Sequence, residues 1–180
     1  TIDRLFLTSG ERILEVGFGN GGHLPYLFAQ GDNLHYTGIE RSEEMLLRAR
    51  EQYMPLIEQG KAVFLKATEG EMSRLPEEAF EVFFSVNTYY FIQDLRGYFE
   101  RLYPMLTRGG RLALGYIDKD FGERMPFTQE VFTFYTNEQI GQWLLEVGFS
   151  SFGITSYTEE IFSKNGRTVT RPFHIAMAIK

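Results

Sequence analysis

Residues 13–22, ILEVGFGNGG, constrain this chain more than any other stretch. Ile13 to Val16 read as a short buried strand that breaks into a glycine-rich turn. Gly17, Gly19, Gly21 and Gly22 fall where the chain must bend sharply and let a ligand approach the backbone. Glycine allows this because it has no Cβ and tolerates positive φ. A helix is expected just after the turn, near His23, with Pro25 in its first turn, where a missing N–H costs nothing. The free amides and positive dipole end of that helix make a seat for anionic or polar ligand groups.

Two spacings overlap here. Gly17, Gly19 and Gly22 fit G-x-G-x-x-G, the dinucleotide fingerprint. Gly17, Gly19 and Gly21, with Glu15 two residues before, fit E-x-G-x-G-x-G. An acid at position 15 suits a cationic ligand better than a pyrophosphate, since like charges repel. A tight strand-to-helix turn with no ligand is the plainer alternative.

Downstream, strand and helix patterns alternate. Leu34 to Ile39 read as a strand ending in Glu40, about 18 residues beyond the last glycine of the turn, where an acid is placed to accept from ribose hydroxyls. Ser42 is a candidate N-cap for a helix carrying Met45, Leu46, Ala49 and Tyr53 on one face, and Pro55 should end or bend it. A third strand spans Ala62 to Leu65, and Thr68 and Glu69 follow it in a loop able to meet an adenine edge. Ala79 to Val86 form a buried strand running into Asn87-Thr88-Tyr89-Tyr90-Phe91. Asn87 offers a donor and an acceptor there, and Tyr90 a ring and a hydroxyl. Asp94 caps a helix through Leu102, Pro104 stops or kinks it, residues 107–110 turn, and Arg111 to Ile117 form a fifth strand. Residues 118–135 make a long aromatic connection, read as part of a substrate wall, with Asp118 and Asp120 at its start.

Thr136 and Gln139 spell a capping box, Ile140, Trp143, Leu144 and Val147 give an apolar helix face, and Gly148 is the stop. Phe149 to Tyr157 and Phe173 to Ile179 are consecutive strands around Asn165-Gly166, so they should pair antiparallel.

Composition narrows the functions. The formal net charge is −6 with no basic run, which argues against bulk electrostatic holding on nucleic acid or membranes. With no cysteine and only His23, His35 and His174, without metal-ligand spacing, no metal is expected. No apolar run reaches about 18 residues and no signal peptide is visible, so a cytoplasmic location is expected. The chain begins at Thr1, so a missing N-terminal segment is expected too.

Together these elements resemble the class I S-adenosylmethionine-dependent methyltransferases, and among them the small bacterial members. ILEVGFGNG resembles their motif I, YTGIERSEEML their motif II, and SVNTYYFIQDL their fourth strand and the loop after it. LTRGGRLALG and FYTNEQIGQWLLEVGF are similar to the stretches around the fifth strand and the last helix. The resemblance implies an α/β, Rossmann-like three-layer sandwich. Its seven-stranded sheet would be mostly parallel, with an antiparallel C-terminal hairpin strand, in a single domain over residues 1–180. It further implies S-adenosyl-L-methionine as cofactor and S-adenosyl-L-homocysteine as product, while aromatic walls would favour a small or partly apolar acceptor.

Residue by residue, Gly17, Phe18, Gly19 and Gly21 would line the methionine end, with Glu15 near the ammonium. Glu40 would hold the ribose, Arg41 would border the adenosine, Thr68 and Glu69 would lie by adenine, and Asn87 would sit beside the methionine portion. Tyr90 is the candidate for touching substrate, and no general base stands out. The chain departs from the family at Arg108, where proline is usual, at Pro104, inside a usually unbroken helix, and at residues 70–73, which lengthen a loop. The family's N-terminal lid helix is expected in the segment missing ahead of Thr1. A nicotinamide oxidoreductase and a non-catalytic S-adenosylmethionine-binding module are the competing expectations.

Overall fold

The computed structural model describes residues 1–67, 74–125, 132–162, 166 and 168–180. Among the described residues, seven strands form one sheet: β1 Arg12–Val16, β2 His35–Glu40, β3 Ala62–Lys66, β4 Phe80–Val86, β5 Leu106–Ile117, β6 Ser151–Phe162 and β7 Thr168–Ile179. Their order is β3-β2-β1-β4-β5-β7-β6. The first five strands pair in parallel, and β7 runs antiparallel to both β5 and β6. This is the expected Rossmann-like sheet with its antiparallel C-terminal strands.

Helices cover both faces, which a mostly parallel sheet requires. They are α1 Leu24–Phe28, α2 Glu43–Gln52, α3 Met54–Glu58, α4 Leu95–Leu102, α5 Lys119–Glu123 and α6 Asn137–Val147. Alternate strand residues feed the two cores. Ile13, Val82, Phe84 and Ala113 join Leu24 and Leu27 of α1 and Leu46 and Ala49 of α2. Leu14, Phe83, Leu112 and Leu114 join Leu95 and Phe99 of α4 and Ile140 and Leu144 of α6. The capping box at Thr136 and Gln139 is formed, and Gly148 closes α6 at φ +119°.

The helix breaks near Pro55 as expected: Tyr53 interrupts it and Pro55 sits in the first turn of α3, where no N–H is needed. Two local features differ from the sequence expectation. Residues 107–110 are not a turn ahead of the fifth strand. That strand begins at Leu106 and takes up the extra residues as an irregularity between the pairs Phe80↔Leu106 and Val82↔Arg111, with Gly109 at φ +74°. The C-terminal hairpin is longer than expected. β7 pairs with β5 only from Ile179 back to Phe173, and beyond that point Thr158–Phe162 and Thr168–Pro172 continue as a two-stranded ribbon. Asn165, Phe127 and residues 70–73 lie outside the described residues. The 118–135 connection carries structure of its own in α5.

Candidate functional site

The glycine turn has the backbone its composition requires, with φ of +81° at Gly17, +59° at Gly19 and +68° at Gly21. Three neighbours hold it. The amide of Gly17 donates to Ile39 O at 2.7 Å, the hydroxyl of Tyr53 donates to Gly21 O at 2.7 Å, and Thr88 packs directly on Gly17. A methyl group built on Gly17 would collide with the Thr88 side chain, whereas one built on Gly19 would meet nothing within 4 Å. Gly19 therefore faces open space, and the tip of β4 closes the side at Gly17.

Glu40, at the end of β2, reaches into this turn. Its Oε2 accepts from the Gly19 amide at 2.8 Å, and its Oε1 accepts from the Ser42 amide at 2.9 Å. Each oxygen keeps a lone pair for a ligand hydroxyl. Arg41 follows on the exposed surface.

Glu15 is 2% exposed, and its Oε2 accepts from the Tyr36 hydroxyl and pairs with His23 Nε2 at 2.7 Å. Burial, and then the nearby Glu15 charge, push the Tyr36 hydroxyl far above its ordinary pKa, so it stays protonated and donates to the carboxylate. Glu15, His23, Gly17, Gly19 and Asn20 line a cavity of about 420 Å³. Phe18 contributes backbone to the turn, while its ring is buried edge-on against Phe64 at 5.2 Å between centroids.

At the tip of β4, Asn87 is exposed and adopts φ +55°, with its amide on Gly115 O at 2.8 Å. Its Oδ1 accepts from the Tyr90 hydroxyl at 3.0 Å. Tyr90 is buried, its ring stacks on Phe132 at 5.6 Å, and its hydroxyl also accepts from the Ile117 amide. Burial pushes that hydroxyl well above its ordinary pKa, so it does not serve as a base near neutrality. Asp118 caps α5 through the Phe121 amide at 3.0 Å and meets His174 Nε2 at 3.2 Å, while His174 Nδ1 lies 2.9 Å from Ser156 Oγ. Burial opposes ionisation of Asp118, but these partners hold its carboxyl below the usual range. Asp120 is exposed on α5.

The fold thus brings Glu15, Gly17, Gly19, Gly21 and Glu40 to one edge of the sheet, with Asn87 next to them. Thr68 and Glu69 lie outside the described residues. Sequence reasoning missed His23 as a cavity residue, Thr88 as the wall of the turn and Tyr53 as its clamp. The only signal for His23 was its place directly after the glycines, and Tyr53 read as core spacing alone. Glu15 lines the cavity and Glu40 accepts from the Gly19 amide, so the turn carries two carboxylates able to meet a cationic amine and ligand hydroxyls.

The methyltransferase-domain family matches residues 14–114, which is 101 of the 180 residues. The uncharacterized methyltransferase YdaC of Bacillus subtilis (strain 168) is 33% identical over 114 residues, covering 63% of this chain and 60% of that protein. Phosphoethanolamine N-methyltransferase 1 of Zea mays is 26% identical over 170 residues, covering 90% of this chain and 32% of that protein. The chain therefore spans 60% or less of the length of these two relatives. In structure, phosphoethanolamine N-methyltransferase 2 of Haemonchus contortus, in complex with S-adenosyl-L-methionine, aligns at a TM-score of 0.75 and 17% identity. That alignment covers 99% of this chain and 51% of the other. Among the described residues, no helix is long and apolar enough to cross a membrane. The family match over more than half of the chain, on a sheet of the order described, shows that the chain belongs to the class I S-adenosylmethionine-dependent methyltransferase-domain family.

Proposed function

We propose that residues 1–180 act as one domain that binds S-adenosylmethionine and transfers its methyl group to a small-molecule acceptor in the cytoplasm. The observation that carries this reading is Glu40, whose carboxylate bridges the Gly19 and Ser42 amides at the turn and keeps a lone pair on each oxygen for a ligand. In it, Glu40 accepts from the ribose hydroxyls and Arg41 borders the adenosine, with Thr68 and Glu69 assigned to adenine. Gly17, Phe18, Gly19 and Gly21 supply the backbone cradle, Asn87 sits beside the methionine portion, and Glu15 offsets its ammonium. When bound, the cofactor supplies an activated sulfonium methyl. The chain's own residues supply position and alignment, with the acceptor side formed beyond Asn87 by the aromatic residues after β4. A small acceptor is supported by relatives named for phosphoethanolamine, whereas Phe134 and Tyr135 of the connection after β5 are packed in the core and give that reading no support.

Calorimetry with S-adenosylmethionine, S-adenosylhomocysteine and NAD tests this directly. Both adenosyl ligands should bind and NAD should not. The Glu40→Ala variant should bind S-adenosylhomocysteine about 1–3 kcal/mol more weakly, the range for losing hydrogen bonds to a charged group. Tight NAD binding with no adenosyl binding would remove the reading, and unchanged affinity in Glu40→Ala would remove Glu40 from the pocket.

A further inference from the structure

We propose that Ser156 is a second reactive centre of this chain, a serine nucleophile activated by His174 and Asp118 that accepts an acyl group from an activated carboxylic ester. The three residues lie apart from the glycine turn, and none of them lines its cavity. The inference therefore goes beyond the cofactor reading and does not depend on it.

The sheet brings them together. Ser156 on β6 stands directly opposite His174 on β7, and His174 stands opposite Tyr116 on β5. The Asp118 amide donates to Pro172 O, so Pro172 and, by alternation, His174 turn their main-chain groups toward β5. The Ser156–His174 pair is then the closer kind, with no main-chain hydrogen bond between its members, and both side chains leave the same face. Ser156 Oγ lies 2.9 Å from His174 Nδ1. Asp118, one residue past the end of β5, brings its Oδ2 to 3.2 Å from His174 Nε2.

Donors and acceptors fix the protons. Asp118 also accepts from the Phe121 amide, and its carboxyl is held below the usual range, so near neutrality it is ionised and can only accept. A neutral His174 therefore carries its proton on Nε2 and leaves Nδ1 bare, and the Ser156 hydroxyl donates to that bare nitrogen. Nucleophile, base and orienting carboxylate stand in the order that activates a serine. The carboxylate is on Nε2 and the hydroxyl on Nδ1, but the chemistry asks only for one protonated nitrogen and one bare one. His174 is 8% exposed, with the Tyr116 ring 5.4 Å away, whereas Ser156 is exposed and open to a reactant. Among the described residues no strand lies outside β6, so the Ser156 amide, directed away from β7, can donate to an oxyanion. In the step itself, Ser156 Oγ bonds to the ester carbonyl carbon while its proton passes to His174 Nδ1. The ester C–O bond then breaks, the leaving oxygen takes that proton, and an acyl-serine remains.

The probe is p-nitrophenyl acetate, read by release of p-nitrophenol and by peptide mass mapping of the acetyl group. Wild type should release p-nitrophenol with the acetyl group mapped to Ser156, and Ser156→Ala should lose that release. His174→Gln should slow it about a hundredfold, the lower end of what a general base contributes. Asp118 is a positioning residue. Asp118→Asn should slow release too and, in heteronuclear correlation spectra of the imidazole, move the His174 proton from Nε2 to Nδ1, which a merely structural role would not do. Ser156 is exposed, so Ser156→Ala decides the matter if His174→Gln folds poorly. Release unchanged in Ser156→Ala, acetyl groups on lysines alone, or a wild-type His174 protonated on Nδ1 would overturn the inference and leave the cofactor reading untouched.

Discussion

Arg111 and Glu11 meet in a two-pronged ion pair, Nη1 to Oε1 and Nη2 to Oε2, both at 2.7 Å. Arg111 also donates to Phe6 O at 3.1 Å and to the Leu5 carbonyl. The two side chains are only 16% and 11% exposed, so this is not one of the solvated surface pairs that contribute little. It ties the segment entering β1 to the lower half of β5. Replacing one partner strands the other in a poorly hydrated place, and Arg111→Met should cost about 3 kcal/mol of stability. Denaturant unfolding would show this as a lower midpoint at unchanged slope.

The same pair sets part of the acid sensitivity. Burial alone would raise the Glu11 pKa, but the hydrogen bonds from Arg111 and the Thr8 amide outweigh it, and the group titrates below its ordinary 4.5. A depressed carboxyl stabilises the fold fully above the unfolded value and loses that contribution as pH falls through the folded value. The contribution of Glu11 should therefore be intact above about pH 5 and fade below about pH 4.5. Glu11→Gln should be less stable than wild type at neutral pH, with the gap narrowing as the pH drops through that window. A gap that stays constant with pH would show that Glu11 does not titrate differently in the folded state.

Gly17 and Gly19 share positive φ but not surroundings. Gly19→Ala meets no atom and should cost only the left-handed backbone penalty, about 1–2 kcal/mol. Gly17→Ala adds a clash, since its Cβ would lie 2.9 Å from Thr88 Cγ2 and nearer still to the hydroxyl oxygen. It should cost about 1–3 kcal/mol more than Gly19→Ala. Adding Thr88→Ala should recover much of the difference, and a double variant no better than Gly17→Ala would show that Thr88 is not the obstacle.

Tyr98 is fully enclosed in the α4 side of the core, and its hydroxyl has no partner among the described residues. Burial raises its pKa, so it stays neutral. Removing an unpartnered buried hydroxyl removes a desolvation cost, and Tyr98→Phe should be neutral or up to about 1 kcal/mol stabilising. A loss of more than about 1 kcal/mol would mean that the hydroxyl is satisfied in solution.

The sequence was most legible where one local rule dictated one conformation. The capping box at Thr136, the stop at Gly148 and the strand-to-turn break at Gly17 all formed as read. The outer arms of β6 and β7 were not legible. Among the described residues Thr158–Phe162 and Thr168–Pro172 have no third strand beside them, and Phe162 is 83% exposed. The one half-buried face there, Glu159, Ile161, Val169 and Arg171, mixes charged with apolar residues, so no alternating apolar pattern marks the strands. The site was legible as far as Glu15, the glycines and Glu40, because each carries its chemistry in its spacing. His23 and Thr88 were not, because they matter through contacts that only the folded sheet creates: one with Glu15, the other with Gly17 across the β1–β4 boundary.

The fit of Thr88 against Gly17 has a mechanical consequence. With no room for a methyl group between them, the tips of β1 and β4 approach as closely as a bare glycine backbone allows, and any side chain at position 17 has to push Thr88 aside.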